Sequence, residues 1–136
     1  MKKSEISKSE IDSVIALFAN GELDEALSSA KKLLETFSEN PILHNIIGAC
    51  YAGKGELGSA VNSYQKAIEI DPNYAKAHFN LGNALHELTL QGLGSLDDPV
   101  LSYEMSISID PNYAQAHNNL GNVLKDSGRL KEAEIS

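Results

Sequence analysis

Two nearly identical segments dominate this sequence. IDPNYAKAHFNLGN begins at Ile70 and IDPNYAQAHNNLGN begins at Ile109, so the copies start 39 residues apart and differ at two positions. A second set of related phrases begins at four glycines: GELDEA, GELGSA, GSLDDP and GRLKEA, at Gly21, Gly55, Gly94 and Gly128. The intervals between these glycines are 34, 39 and 34 residues. Self-similarity at such a period predicts a stack of similar units rather than one irregular core.

The repeat divides the chain into four units within one domain, residues 1–136. The units cover about residues 7–40, 41–74, 75–113 and 114–136. The third carries a five-residue insertion near 89–94, and the fourth is incomplete. Because the last unit stops early, we expect the sequence to be a fragment of a longer protein, with an uncovered apolar face at its end.

Each unit is predicted to contain two helices. In the second unit an apolar series with helical spacing precedes Gly55, and another precedes Asp71 and Pro72. Glycine tolerates the left-handed conformation that ends a helix, and proline disfavours helical geometry in the residue before it. Asn73 is then predicted to cap the next helix. Ser7 and Glu10 have the spacing of a capping box and predict the start of the first helix.

Two stretches depart from the regular pattern. In HELTLQGLGSLDDP, either the helix continues past Leu88 or residues 90–93 loop out. Pro99 is tolerable only in the first turn of the following helix, which predicts Asp97 or Asp98 as its cap. In the last unit, a turn at Gly128 should introduce a partial eighth helix, whose apolar face would carry Leu130, Ala133 and Ile135.

Helix–turn–helix units of 34 residues resemble the tetratricopeptide repeat. The resemblance covers about residues 7–136 and is carried by small and apolar residues in register: Ile47, Gly48, Tyr51, Ala60, Tyr64, Ala67 and Pro72; Leu81, Gly82, Leu85, Tyr103 and Pro111; Leu120, Gly121, Leu124 and Ala133. It implies an all-α fold, a right-handed α-solenoid of 34-residue helix–turn–helix units. The first helices of such units line a concave groove that binds peptides, so the resemblance implies an interaction module without catalytic residues.

Composition indicates which classes of partner and which cellular location to expect. The net charge is −8, which argues against nucleic acid because phosphate binding needs clustered Lys and Arg. No apolar stretch is long enough to insert in a membrane. Cys50 is the single cysteine, so an internal disulfide is impossible, which favours a reducing, cytoplasmic location. We expect no cofactor and no bound metal.

Several short motifs favour structural roles. GKGELG, at residues 53–58, matches a dinucleotide-binding pattern but follows a helix instead of a strand. His44, His78 and His117 occupy equivalent repeat positions, about one helix spacing apart, which is too far for a shared metal ion. Leu90 stands where a zinc-protease motif starting at His86 needs its second histidine. We expect packed histidines and a buried Cys50.

The asparagines favour peptide binding. They recur on the first helices of the last two units, at Asn80, Asn83, Asn118, Asn119 and Asn122. An amide both donates and accepts hydrogen bonds, so it can hold a peptide backbone whatever its side chains. NLGNAL and NNLGNVLKDSG look most similar to the superhelix of O-linked N-acetylglucosamine transferases and the plant SPINDLY proteins. That resemblance implies a groove ladder of asparagines, which matches Asn80 and Asn119.

The other end of the groove is predicted to be apolar, with Ile11, Ile15 and Ile46 on its wall. A second peptide-binding mode of the family, a basic clamp for a C-terminal carboxylate, keeps only Lys76 and Asn80 here. The main hypothesis is therefore a non-catalytic module that binds a protein or peptide segment. Two alternatives stay open: the substrate-recognition arm of a larger enzyme, such as a glycosyltransferase or sulfotransferase, and a scaffold that self-associates through the groove or the C-terminal helix.

Overall fold

The computed structural model describes the backbone of residues 5–135 and the side chains of residues 5–128. These residues form seven helices and no strand: α1 Lys8–Ala19, α2 Leu23–Thr36, α3 Pro41–Gly53, α4 Leu57–Ile70, α5 Ala75–Leu90, α6 Asp97–Ile109 and α7 Ala114–Ile135. The predicted all-α fold of helix–turn–helix units is confirmed. The chain divides into two compact structural units, each spanning two of the repeats: unit 1 is Met1–Pro72 and unit 2 is Asn73–Ser136. The division falls two residues before the predicted boundary between the second and third repeats.

In unit 1, helices α1 to α4 pack around an apolar core. Val14, Ala26 and Leu43 are at most 2% exposed, and Cys50 is completely buried among them. Ser7 and Glu10 form the predicted capping box, because the Ser7 hydroxyl accepts from the Glu10 N–H and the Glu10 carboxylate accepts from the Ser7 N–H. The capping box therefore gives the N–H groups of Ser7 and Glu10 partners at the start of α1.

Unit 2 contains α5, α6 and α7. The inserted residues are shared between helix and turn: α5 has 16 residues against 13 in the equivalent α3, and residues 91–96 connect it to α6. The alternative in which the helix continues past Leu88 is thus confirmed. Pro99 lies buried in the first turn of α6, as predicted.

Two predicted caps are wrong. The N-cap of α5 is Tyr74 rather than Asn73, because Asn73 belongs to the preceding turn and the helical hydrogen bonds start at the Tyr74 carbonyl. Leu96 is the N-cap of α6, and Asp97 and Asp98 lie inside its first turn. There their carboxylates favour the helix electrostatically, near the positive end of its dipole, without capping it.

The corner predicted at Gly128 does not form. Gly21, Gly55 and Gly94 adopt φ values of 80°, 80° and 100° at the three observed corners, whereas Gly128 lies inside α7 and its φ is not positive. Glycine permits the left-handed conformation of a corner but does not require it, and here the backbone continues α7 through Gly128 to Ile135. The side chains of Leu130, Ala133 and Ile135 lie outside the described residues.

Candidate functional site

Three side chains meet at one amide in unit 2. Asn83 on α5 offers its Oδ1 atom, which accepts from the Tyr103 hydroxyl of α6 at 2.5 Å and from Asn119 Nδ2 of α7 at 2.8 Å. Each helix of the unit thus contributes one group. Asn122, which is three residues after Asn119 on α7, lines the same cleft as Asn83 and Asn119. We call Asn83, Asn119 and Asn122 the asparagine cluster. The Asn83 side-chain carbonyl already accepts two hydrogen bonds within the protein, so a ligand would bind mainly to the other amide groups of the cluster.

Tyr103 reaches Asn83 because the preceding residue of α5 is a glycine. A Cβ atom at residue 82 would lie 2.7 Å from Cε1 of the Tyr103 ring, which is shorter than a van der Waals contact between carbon atoms. Tyr103 is 1% exposed, and Phe79 packs against it with ring centroids 6.0 Å apart. The close approach of α6 to α5 therefore sets the position of the hydroxyl.

A cleft of about 330 Å³ opens beside the cluster, and its lining residues are Asn83, His86, Glu87, Leu90, Tyr103, Asn119 and Asn122. His86 Nε2 lies 3.0 Å from Asp126 Oδ2, which adds a second link between α5 and α7. Glu87 and Asn122 are exposed. The cleft combines amide donors and acceptors with the carboxylate of Glu87, which suits an uncharged or basic ligand and opposes an acidic one.

The remaining polar candidates lie outside this cleft. Asn80 is half-buried on α5, whereas Lys76 and Asn118 are exposed and do not line the cleft. Of the five predicted asparagines, the structure therefore brings Asn83, Asn119 and Asn122 together. The sequence did not predict the other four lining residues, His86, Glu87, Leu90 and Tyr103, although the tyrosine recurs at Tyr64 in the preceding repeat.

The apolar candidates of unit 1 have different environments. Ile15 is 45% exposed, and Ile11 is half-buried against the core. Ile46 is 8% exposed and belongs to that core, so its predicted place on an accessible groove wall is wrong. The reason is that α2 and α4 pack on α3 from two sides. Ile11 also lines a cleft of about 590 Å³, together with Ile6, Phe37 and Ile42.

The three equivalent histidines differ in exposure: His78 is buried and His44 is half-buried, as expected, whereas His117 is exposed. His44 and His117 each donate from Nε2 to a carbonyl six residues earlier, Ser38 at 2.9 Å and Pro111 at 2.8 Å. Burial raises the pKa of the Cys50 thiol, so the reactive thiolate is disfavoured. Among residues 5–128, no group of three His, Cys, Asp or Glu side chains could hold a metal ion.

Burial also makes unit 2 sensitive to alkali. It raises the pKa of Tyr103 to about 12, above the value of about 10 expected in the unfolded chain. The folded state thus holds this proton more tightly, and the associated stability is complete below about pH 10 and is lost as the pH rises through about 12. We expect urea midpoints to fall across this window, and Tyr103→Phe to flatten the decline. An unchanged slope in that variant would contradict this assignment.

Family models match two parts of the chain. One, described as TPR repeat, matches residues 50–88, and another, described as tetratricopeptide repeat, matches residues 102–135. The Gly82 and Tyr103 contact described above falls within these two segments. The chain therefore contains tetratricopeptide repeats, in residues 50–88 and 102–135.

One protein similar in sequence to this tetratricopeptide-repeat chain and two solved structures similar in fold illustrate its relatives. Over 68 residues, 50% of the chain, it is 32% identical to the peroxisomal targeting signal receptor of Candida albicans, and it spans only 12% of that protein. The first TPR of Spaghetti (RPAP3), solved with the HSP90 peptide SRMEEVD, superposes with a TM-score of 0.82 at 21% identity, covering 93% of this chain and 96% of that one. The Sgt2 TPR domain of Aspergillus fumigatus gives 0.83 at 20% identity, covering 100% and 88%. These two superpositions establish a shared fold.

In the part of the chain that the structure describes, no helix has both the length and the apolar character to cross a bilayer.

Proposed function

We propose that this tetratricopeptide-repeat chain is a non-catalytic module that binds a peptide segment of another protein, and that the asparagine cluster of unit 2 makes the main polar contacts. The observation that carries the proposal is the convergence of Asn83, Asn119 and Asn122 on one open cleft. Amides on adjacent helices can pair with successive backbone groups of an extended peptide, which gives binding with little dependence on its side chains.

The charge of the cleft suggests which peptides bind. The structural relative was solved with a peptide, SRMEEVD, in which three of seven residues are acidic. In the present cleft, the carboxylate of Glu87 would repel such a ligand, a second carboxylate, Asp126, lies against the lining residue His86, and Lys76 lies outside the lining. We therefore propose that the preferred segment is neutral or basic.

Three finer points rest on the same residues. The recurrence of Asn80 as Asn119 at the same position of the next repeat supports the proposed similarity to the superhelices of O-linked N-acetylglucosamine transferases and SPINDLY proteins. The acidic net charge of −8 supports a protein rather than a nucleic-acid partner. The single cysteine, unpaired and buried, supports a cytoplasmic location.

The test starts with peptides selected from a random library against the purified protein, followed by calorimetric titration of variants. Asn119→Ala and Asn122→Ala together should weaken the selected peptides by about tenfold, since each neutral hydrogen bond contributes roughly 0.5–1.5 kcal/mol. Asn118→Ala is the matched control, because it changes an exposed asparagine of the same helix outside the cleft.

Two results would refute the proposal. The first is equal loss of affinity in the double variant and the control, with folding intact by circular dichroism. The second is a library selection dominated by acidic peptides, because the Glu87 carboxylate should disfavour them.

A further inference from the structure

The solvent side of α6 is partly apolar. Its exposed residues are Asp97, Asp98, Leu101, Glu104, Met105 and Ser108. Leu101 is 65% exposed and Met105 is 42% exposed, and the two lie one helical turn apart. On the opposite side of the same helix, Tyr103 is buried against α5. α6 is therefore apolar both where it packs and where it faces solvent, and we call Leu101 and Met105 the apolar pair.

The other second helices of the repeats are polar at these positions. Counted from the corner glycine of each repeat, the first member of the apolar pair corresponds to Ser28 of α2 and Asn62 of α4. The second member corresponds to Lys32 of α2 and Lys66 of α4. The apolar pair is thus specific to α6, and the packing of the repeat does not require it.

These positions face solvent even where a further helix pair follows. In unit 1, α3 packs against α2 and α4 packs against α3, yet Ser28 and Lys32 of α2 are exposed. A helix pair that follows in the sequence therefore does not cover them. The exposure of Leu101 and Met105 consequently results from the side of the helix on which they lie.

Acidic side chains border the apolar pair. Asp97 and Asp98 lie one turn before Leu101, and Glu104 lies one turn after it. α6 contains no Lys, Arg or His, and within residues 5–128 none of these three carboxylates forms an ion pair. The face therefore presents two apolar side chains among three uncompensated negative charges, which attracts a basic ligand.

We propose that the exposed face of α6 binds a basic amphipathic helix of another protein. Apolar side chains one turn apart on that helix cover the apolar pair, and Lys or Arg residues beside them pair with the bordering carboxylates. A helix fits because the apolar pair follows the axis of α6, so a partner with the same spacing packs along it. A second copy of this chain fits less well, because pairing α6 with α6 brings the carboxylates of both copies together. The face does not line the cleft of the asparagine cluster, so its role is independent of the proposed function above.

The probe is a synthetic helical peptide with leucines along one face and lysines on both sides of that face, called the lysine peptide. We expect saturable binding to the full chain by fluorescence anisotropy. A glutamate peptide, in which glutamates replace the lysines, should bind about tenfold more weakly or less, because like charges repel. A third peptide, with serines in place of the leucines, should not bind measurably, since solvent-exposed ion pairs alone contribute little.

Leu101→Gln with Met105→Gln tests the apolar contact. Glutamine matches leucine and methionine in helix propensity and leaves the net charge unchanged, so folding should be retained. Binding of the lysine peptide should weaken by about tenfold or more, because a few central apolar side chains dominate such interfaces. Ser28→Gln is the matched control, since it places glutamine at the equivalent exposed position of α2 and should leave binding unchanged.

Asp97→Asn with Glu104→Gln tests the charges. Removal of these two carboxylates should weaken binding by about threefold and make it less sensitive to salt, because exposed ion pairs are weak and screened. Glu25→Gln with Glu35→Gln is the matched control, because both residues are exposed on α2 and the variant has the same net charge. Equal weakening by the two variants would show a general charge effect and contradict recognition by α6.

Other outcomes also overturn the proposal. They are failure of the lysine peptide to bind, equal binding of the glutamate peptide, and binding that Leu101→Gln with Met105→Gln leaves unchanged. Loss of binding in Asn119→Ala with Asn122→Ala would place the peptide in the cleft of the asparagine cluster. Sedimentation provides a further test: a dimer that the double glutamine variant converts to monomer, and that the lysine peptide does not dissociate, would assign the face to a second copy of the chain.

Discussion

Gly82→Leu is expected to lower the free energy of unfolding of unit 2 by about 1–3 kcal/mol or more, because overpacking a tight contact forces the backbone apart. The first added atom would already lie 2.7 Å from the Tyr103 ring, and that ring is enclosed and cannot withdraw. Urea unfolding followed by circular dichroism measures the change. Separation of α6 from α5 should also disturb the hydrogen bond between Tyr103 and Asn83.

Gly121→Leu is the control for this prediction. Gly121 occupies the same repeat position on α7, but a Cβ there meets nothing within 4 Å. Because leucine favours a helix over glycine by roughly 0.5–1 kcal/mol, this variant should be neutral or slightly stabilised. Equal destabilisation by both substitutions would show that helical glycine itself is needed at this position and that the Tyr103 contact is not the cause.

Tyr103→Ala is expected to have a still larger effect, about 3–5 kcal/mol, which is typical when a buried aromatic side chain is removed. The substitution leaves a cavity over Gly82 and removes one of the two donors to Asn83 Oδ1. Tyr103→Phe separates these two contributions. It keeps the ring and removes only the hydroxyl, so it should cost about 1 kcal/mol.

The same pair of variants tests the link between packing and binding. In Tyr103→Phe the Asn83 carbonyl keeps only the donor from Asn119, at 2.8 Å, and becomes more available to a ligand. We expect selected peptides to bind this variant with changed affinity while the fold is retained. A Tyr103→Phe variant as unstable as Tyr103→Ala would mean that the hydroxyl, rather than the ring, holds α6 against α5.

Much of the fold could be predicted because its determinants are local. The glycine spacing located three helix corners, and left-handed φ values are found at Gly21, Gly55 and Gly94. The capping box at Ser7 and the place of Pro99 in a first turn also follow from residues within one helical turn. The candidate site was partly predictable for the same reason, since Asn119 and Asn122 lie three residues apart on one helix.

What the sequence by itself determined is the period, the helical class and the positions of most helix ends, because backbone preference and capping depend on near neighbours. Only the tertiary structure decided that Tyr103 joins the asparagine cluster, that Ile46 lies in the core, and that α7 passes through Gly128 without a turn. Each of these depends on which helix packs against which. A side chain's exposure, and the stability of a corner, depend on surface contributed by residues distant in the sequence, so no local pattern contains them.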